Sequence, residues 1–488
     1  MKRNLFSLLG AVAMMASLVG CGGESSTVAE EGKVINIWCW NNEFQSRFNT
    51  YYPEVQTVDG NTTTLKNGKK VNFIIHANDN NGYQIPLDAA LAKQDKAAAD
   101  EKIDIFLMEA DYAIKYVGTD YTLDVYKDIG LKAEDTANMY DYTKTVVTDS
   151  KGVLKGVSWQ ATPGLYAFRS DYAAKIWSDY PADPTDSDSA SEKAKKTAAQ
   201  AAFVQTKLSD WSKFDSVAAA AKAKDIKMVS GYDDMYRVFS NNAKNSWVDS
   251  NGKVTIDPAI KDWIKKEKTY ATEGYSGSST LWSDPWAKDQ GPEGSVLGFF
   301  YSTWGINFTL SGNSLATPVD ETGKTAAEIA AAKKNNGLYG KYRVCEGPAS
   351  YYWGGTWIAA AKGTDNVSDV KDIMLKLTCD KAIAKKITTD TQDYTNHKSA
   401  MNEIANDANY GSDFLGGQNH IKLFASSAAN IKLAGMSAYD QGCNEQLQNA
   451  MRDYFAGSKD YATCYANFEQ QVRTLYPEVK FNDSNKTL

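Results

Sequence analysis

The chain has 488 residues, 43% apolar and 23% charged, with a formal net charge of −7; that length exceeds what one simple core can bury and calls for two lobes or more. The acidic balance and the lack of basic clusters exclude nucleic acid as a partner. Beyond the N-terminus no apolar run reaches the length of a membrane-spanning helix, so the body of the chain is expected to be soluble.

In chain order, Lys2 and Arg3 form a short positive region, followed by an apolar run over 5–19. That run is too short and wrongly flanked to span a bilayer and reads as a signal peptide over 1–20. It ends in Leu18-Val19-Gly20-Cys21, which looks like a lipobox, with small residues before a cysteine whose thiol takes up lipid. An ordinary signal peptide that happens to contain a cysteine is the competing reading. Two acyl chains on Cys21 would anchor the protein stably, at about 0.8 kcal/mol per buried methylene. Residues 21–33 then serve as a polar tether, starting with Gly22-Gly23-Glu24-Ser25-Ser26-Thr27. With Cys21 lipidated, Cys39, Cys345, Cys379, Cys443 and Cys464 remain. Their number is odd and their spacing is not that of a metal site, so they are expected to be mostly buried small residues, with at least one free or paired outside the chain.

The first strand is expected at 34–40, breaking at Asn41-Asn42, and a second at 71–75. An Ala- and Leu-rich helix follows at about 86–99, and a third strand at 103–108. Apolar strands alternating with a helix imply βαβ units and a sheet covered on both faces, an α/β pattern. Residues 187–202 pass from an Asp/Ser loop into an exposed helix, with Ser189 and Glu192 at capping-box spacing. Further strands are read at 295–300, 342–344 and 356–361. Val370, Ile373, Met374 and Leu377 line one face of a helix, as do Leu447, Met451, Tyr454 and Phe455, stopped by Gly457. A last stripe carries Tyr461, Phe468, Val472 and Leu475.

No catalytic signature stands out. The three histidines, His76, His397 and His420, are far apart and in no metal-ligand spacing. A nucleophile elbow is absent. Gly323-Lys324-Thr325 resembles the end of a P-loop, but Pro318 stands where its first glycine is required. Neither a cofactor nor a metal is therefore expected. What the chain does hold is 12 Trp and 28 Tyr, many in polar, glycine-containing loops. Trp40 adjoins Asn41 and Asn42, Trp282 and Trp286 flank Asp284-Pro285, and Tyr351-Tyr352-Trp353 precedes Gly354. Indole and phenol rings cover the apolar C–H face of a sugar, while Asp, Glu, Asn and Gln bond its hydroxyl rim. An apolar wall with a few convergent polar groups suits a small-molecule cleft. Any single loop tryptophan can equally pin its loop to the core.

Several segments resemble those of extracellular sugar-binding proteins of ABC importers. The opening strand with Trp38 and Trp40 is similar to the family's first strand and ligand-facing loop. Lys102-Ile103-Asp104-Ile105 with Glu109-Ala110-Asp111-Tyr112 is similar to its "proline-aspartate-valine" strand and the loop after it, with lysine-isoleucine before the aspartate here. The stretch 152–164, containing Trp159, Gln160 and Pro163, resembles the hairpin that returns to the cleft and continues into the hinge. Residues 299–305 resemble the strand ending in a tryptophan under the sugar, here Trp304, and Glu346-Gly347-Pro348 with Gly354-Gly355 resembles a crossover, without the family's leucine. Residues 414–419 and Tyr439-Asp440-Gln441-Gly442 resemble C-terminal patterns of clostridial-type members.

The resemblance implies a two-lobe α/β fold of the periplasmic-binding-protein type II, lobes joined by crossover hinge strands around a ligand cleft. One lobe is expected over 34–161 plus 344–400 and the other over 162–343 plus 401–488. It implies a binding protein, not an enzyme: a monomer, held at the extracytoplasmic face of the membrane, that closes over a carbohydrate and delivers it to ABC permease subunits. The abundance of aromatics leans toward an oligosaccharide. Trp159, Gln160, Trp304, Trp40 and Asp111 rank first as ligand contacts, because family position and side-chain chemistry agree. Glu43, Asp233 and Asp234 follow as acceptors for hydroxyls, although the Asp pair is equally a solvated turn after Gly231. Trp282, Trp286, Trp353 and Gly354 complete the set. A surface glycoside hydrolase, which also uses aromatics and paired carboxylates, is the alternative, with a non-transport surface module behind it.

Overall fold

The computed structural model describes residues 31–78 and 81–488. The signal peptide, Cys21 and residues 21–30 of the tether lie outside the described residues.

Two hydrophobic cores organise the chain. The first surrounds a seven-stranded sheet in the order Val55–Asp59, Thr62–Leu65, Lys70–Ile75, Val34–Cys39, Ile105–Glu109, Thr356–Ala360, Val157–Ser158. Val34–Cys39 runs parallel to both Lys70–Ile75 and Ile105–Glu109. Thr356–Ala360 pairs antiparallel with Ile105–Glu109 and Val157–Ser158. Ile35, Ile37, Ile105, Leu107 and Ile358 are all buried in this core, as expected for strands covered on both faces. The second core surrounds a three-stranded antiparallel sheet, with Gly164–Arg169 between Gly298–Ser302 and Tyr342–Cys345. Beside it lies a parallel pair, Ser276–Ser279 with Val229–Gly231.

The long helix Ala190–Leu208 starts at the anticipated capping box. The Ser189 hydroxyl accepts from the Glu192 N–H at 3.3 Å, and the Glu192 carboxylate accepts from the Ser189 N–H at 2.7 Å. It buries Ala201, Val204 and Leu208 against the second core. The P-loop-like residues have a similar explanation, since Thr325 caps the helix Ala326–Lys333 in a second capping box with Glu328. The stripe at Val370 belongs to the helix Val367–Met374, which ends in a π-helical turn over Leu375–Cys379.

Two elements differ from the sequence expectation. The helix anticipated at about 86–99 is Gln84–Leu91, followed by short 3-10 turns at Gln94–Lys96 and Ala99–Glu101. The buried Gln94 amide clamps both the N–H (3.0 Å) and the carbonyl (2.6 Å) of Ile103. Those bonds draw the chain into the next strand and override the helix preference of its alanines. The hairpin of Val55–Asp59 with Thr62–Leu65 was not anticipated, because its side chains are polar and its outer strand is exposed. The Gly60-Asn61 pair between the strands was its signal.

Three segments carry the chain between the cores, side by side. Gln160 pairs with Thr395 and Pro163 with Tyr352. The Ala161 N–H donates to the Tyr394 carbonyl at 3.0 Å, the Trp353 N–H to Thr162 at 3.0 Å and the Asn396 N–H to Trp159 at 3.0 Å. The crossings thus run through about 159–163, 351–355 and 393–396. The expected division after residue 400 falls inside the helix Lys398–Ala405, whose Ala400, Met401 and Ile404 pack in the second core.

Among the described residues no helix is long and apolar enough to cross a membrane. Cys39, Cys345, Cys443 and Cys464 are buried and unpaired, and Cys379 is half-buried and unpaired. Burial pushes the Cys39 and Cys345 thiols up to about 12. A soluble form beginning after Cys21 should therefore label at no more than one position, Cys379, with a thiol reagent in native buffer at pH 8, and at all five in denaturant. Two or more fast-reacting native thiols would contradict this packing.

Candidate functional site

The parallel strands of the first sheet deliver their carboxyl ends to the crossing segments, the position where ligands bind in open α/β sheets. Trp40 follows Val34–Cys39 directly and is half-buried, meeting Tyr83 and Tyr112 edge-on with centroids 5.7 and 6.2 Å away. The helix Glu43–Tyr51 comes next and places Glu43 in its first turn. Arg47, four residues on, lies on the same helical face.

Glu43 and Arg47 share their surroundings with residues of the first and third crossings. The Arg47 guanidinium lies over the Trp159 ring, 5.6 Å from its centroid, a cation–π distance. Asp393, almost fully buried, faces Glu43 and Arg47 from the third crossing. Burial and then the Asp393 charge push the Glu43 carboxyl up to about 7, with Arg47 and the Gln160 amide opposing. Burial raises Asp393 too, against the pull of Arg47. Four buried polar atoms here make no hydrogen bond: Arg47 Nε, Trp159 Nε1, Gln160 Nε2, and Oγ1 of Thr303, which lies near Asp393. Buried polar atoms are nearly always satisfied, so this concentration is unusual for a packed interior.

A second group sits at the end of Ile105–Glu109. The Glu109 carboxylate accepts from the Asp111 N–H at 2.7 Å. Burial and the Asp111 charge push Glu109 up to about 8, with Arg237 opposing. Arg237 grips Asp111 with two nitrogens, Nη2 at 2.6 Å from Oδ2. Arg237 lies on the helix Tyr236–Ser240, rooted in the second core by Tyr236, Val238 and Phe239, so this ion pair joins the two bodies. Gln84 and Gln441 make a second bridge at 3.2 Å.

Tryptophans close the other side. Trp304, half-buried at the end of Gly298–Ser302, donates Nε1 to the Trp353 carbonyl at 2.9 Å. Trp353 is 8% exposed and meets the Trp304 ring edge-on at 5.2 Å. Gly354 has φ +72, and a Cβ there would come within 3.0 Å of Trp304 Nε1 and 3.6 Å of Glu109 Oε1. Its missing side chain lets the indole and the carboxyl approach the crossing. Trp282 lies nearly parallel to Trp304, at 5.9 Å and 14°.

The remaining sequence candidates sit deeper. Trp159 is 2% exposed and packs in the first core; Trp286 is 2% exposed in the second, beside Tyr301. Asp233 pairs with Arg452 inside the second body, leaving Oδ1 without a partner. The Asp234 carboxylate accepts from the Ser230 and Gly231 N–H groups at 2.7 and 3.0 Å and closes their loop; burial pushes it up to about 7. Neither carboxylate is a solvated turn. Sequence reasoning did not rank Arg47, Glu109, Arg237, Thr303 or Asp393 as contacts. Glu43 and Arg47 at i and i+4 on an amphipathic helix carried a readable signal; Asp393 had none. Among the described residues no group of three or more His, Cys, Asp or Glu is placed to hold a metal ion.

Removing the Trp159 indole leaves a core void, so Trp159→Ala should cost about 3–5 kcal/mol of stability in denaturant unfolding. A loss below about 1 kcal/mol would mean that the ring is not core. Asp234 tests the burial argument. Its folded form keeps a proton that the unfolded chain releases near pH 4, so the proton favours the fold fully below that and is lost as pH rises to about 7. Asp234→Asn should flatten the fall in stability between pH 4 and 7; an unchanged slope would place the titration elsewhere.

No family model matches the sequence, and no curated protein matches it. Solved structures do match, over nearly the whole chain. An extracellular solute-binding protein of family 1 shares 15% identity, over 90% of this chain and 99% of its own, with a TM-score of 0.62. The ABC transporter associated binding protein from B. animalis subsp. lactis Bl-04, in complex with beta-1,6-galactobiose, shares 16%, over 93% of this chain and 100% of its own, at 0.58. An ABC substrate-binding protein from Listeria monocytogenes in complex with cycloalternan shares 11%, over 91% and 99%, at 0.57. With two cores, three paired crossings and this match in shape, the chain has the two-lobe α/β fold of the extracellular solute-binding proteins.

Proposed function

We propose that this chain captures a carbohydrate between its two bodies, without breaking a bond in it, and delivers it to the permease of an ABC importer while held by lipid on Cys21 at the extracytoplasmic face. The carrying observation is the set of four unpartnered buried polar atoms, on Arg47, Trp159, Gln160 and Thr303, around Glu43 and Asp393. Hydroxyls both donate and accept, so a polyol satisfies carboxylates and orphaned N–H and O–H groups together. Trp304 and Trp353 supply an apolar wall against which C–H faces pack. A micromolar affinity needs about 8 kcal/mol, and charge-assisted hydrogen bonds give about 1.5–3 kcal/mol each. Several such bonds from both bodies are required, which ties binding to closure about the crossings. The solved neighbours include proteins in complex with galactobiose and cycloalternan, which favours an oligosaccharide.

A surface glycoside hydrolase is the second reading, favoured by one observation: Glu43, half-buried and pushed up to about 7, faces the buried Asp393 carboxyl, a pattern that acid–base catalysis also uses. Thermal-shift screening of the soluble form against a glycan panel, followed by calorimetry, separates the two. At least one oligosaccharide should raise the melting midpoint and bind one to one without hydrolysis products. Glu43→Gln and Arg47→Ala should each weaken that binding tenfold or more. Product formation abolished by Glu43→Gln would install the hydrolase; a panel with no midpoint shift would remove carbohydrate capture.

A further inference from the structure

We propose that Trp282 and Phe308, with Trp304 behind them, form an open shelf for further rings of the ligand, so that one end of the saccharide is enclosed and the other runs out over the rim. This rests on the carbohydrate reading and adds a length preference and a direction to it.

Trp282 is 54% exposed and has φ +70. A left-handed backbone is uncommon for so bulky a residue and is sustained only when the surroundings impose it. Here they do. The Ser283 N–H donates to the Thr280 carbonyl at 3.0 Å, and Arg452 donates to the Thr280 hydroxyl at 2.8 Å while pairing with Asp233. Ser283 then caps the helix Asp284–Asp289, accepting from the Trp286 N–H. The loop is clamped at both ends, yet the indole it presents stands more than half in water. Strain that served packing would end in burial.

Phe308 makes the same point from another element. It lies in the π-helical turn Ile306–Leu310 and is 75% exposed. Single π turns re-aim side chains and recur at functional sites. Its ring is 6.3 Å from Trp304, which is 5.9 Å from Trp282. Three rings from two segments therefore lie together, with exposure rising from Trp304 to Trp282 and Phe308, and Thr303, next to Trp304, lies near Asp393 of the polar cluster. The surface is apolar and flat-faced, with no charged side chain among its three members, which fits the C–H faces of successive pyranose rings.

The test is calorimetry of malto-, cello-, xylo- and β-1,4-manno-oligosaccharides of two to six units on wild type, Trp282→Ala and Phe308→Ala. In one series wild-type affinity should rise at least tenfold from two units to four. Each variant should lose at least tenfold more affinity for the four-unit sugar than for the two-unit one, with an unchanged melting midpoint. Binding that does not grow with length, or variants that weaken all lengths equally, would overturn the shelf and leave carbohydrate capture standing. Tighter binding of every length by Trp282→Ala would also overturn it, making Trp282 a plug on Trp304. Failure of all four series and of the wider glycan panel to bind wild type would take down both readings.

Discussion

Glu43 and Arg47, both half-buried, meet the buried Asp393 from another part of the chain, and their charges do not balance. Two carboxyls face one guanidinium, so either a proton stays on the pair or an unmatched negative charge is held out of water at a cost of several kcal/mol. The raised Glu43 and Asp393 values express that conflict. A hydrophobic core would relieve it by repacking. Here the neighbouring Gln160 and Thr303 add polar atoms without partners, which deepens the conflict.

The crossings explain how such a costly arrangement is kept. Main-chain hydrogen bonds tie 159–163 to both 351–355 and 393–396, so Trp159, Gln160, Trp353, Gly354 and Asp393 belong to one continuous ribbon. The pairing fixes the spacing of the side chains on it. Glu43 and Arg47 come from the first body, Trp304 and Arg237 from the second. Arg237 and Asp111 are each partly exposed, so their pairing contributes modestly and more to alignment than to strength.

Much of this was legible, and the gaps have physical causes. Apolar strands and capped helices are local patterns, and the Ser189–Glu192 box and the stripes at Val370 and Leu447 appear at the residues that announced them. The polar and aromatic residues just after strands, such as Trp40, Asp111 and Trp304, could be singled out because strand ends are where sites form. Burial could not be read so well. Trp159 and Trp286 have the same polar flanks as Trp40, yet both are fully enclosed. Asp233 and Asp234 looked like a turn and instead close a buried loop. Asp393 gains its meaning from Glu43 and Arg47, which no local pattern links to it. The Gln84–Leu91 helix stops early because Gln94 bonds a strand, a tertiary decision invisible to propensity.

The unpaired thiols have a consequence of their own. Small exported domains commonly rely on disulfide cross-links for stability, whereas the described residues of this chain contain five cysteines and no cross-link. Its cohesion comes from two large apolar cores and the ribbon between them. Reaching the native state needs no oxidant, no isomerase and no correct choice among competing sulfur pairings. The same molecule would hold its shape in aerated surroundings and in a strictly reducing, oxygen-free habitat.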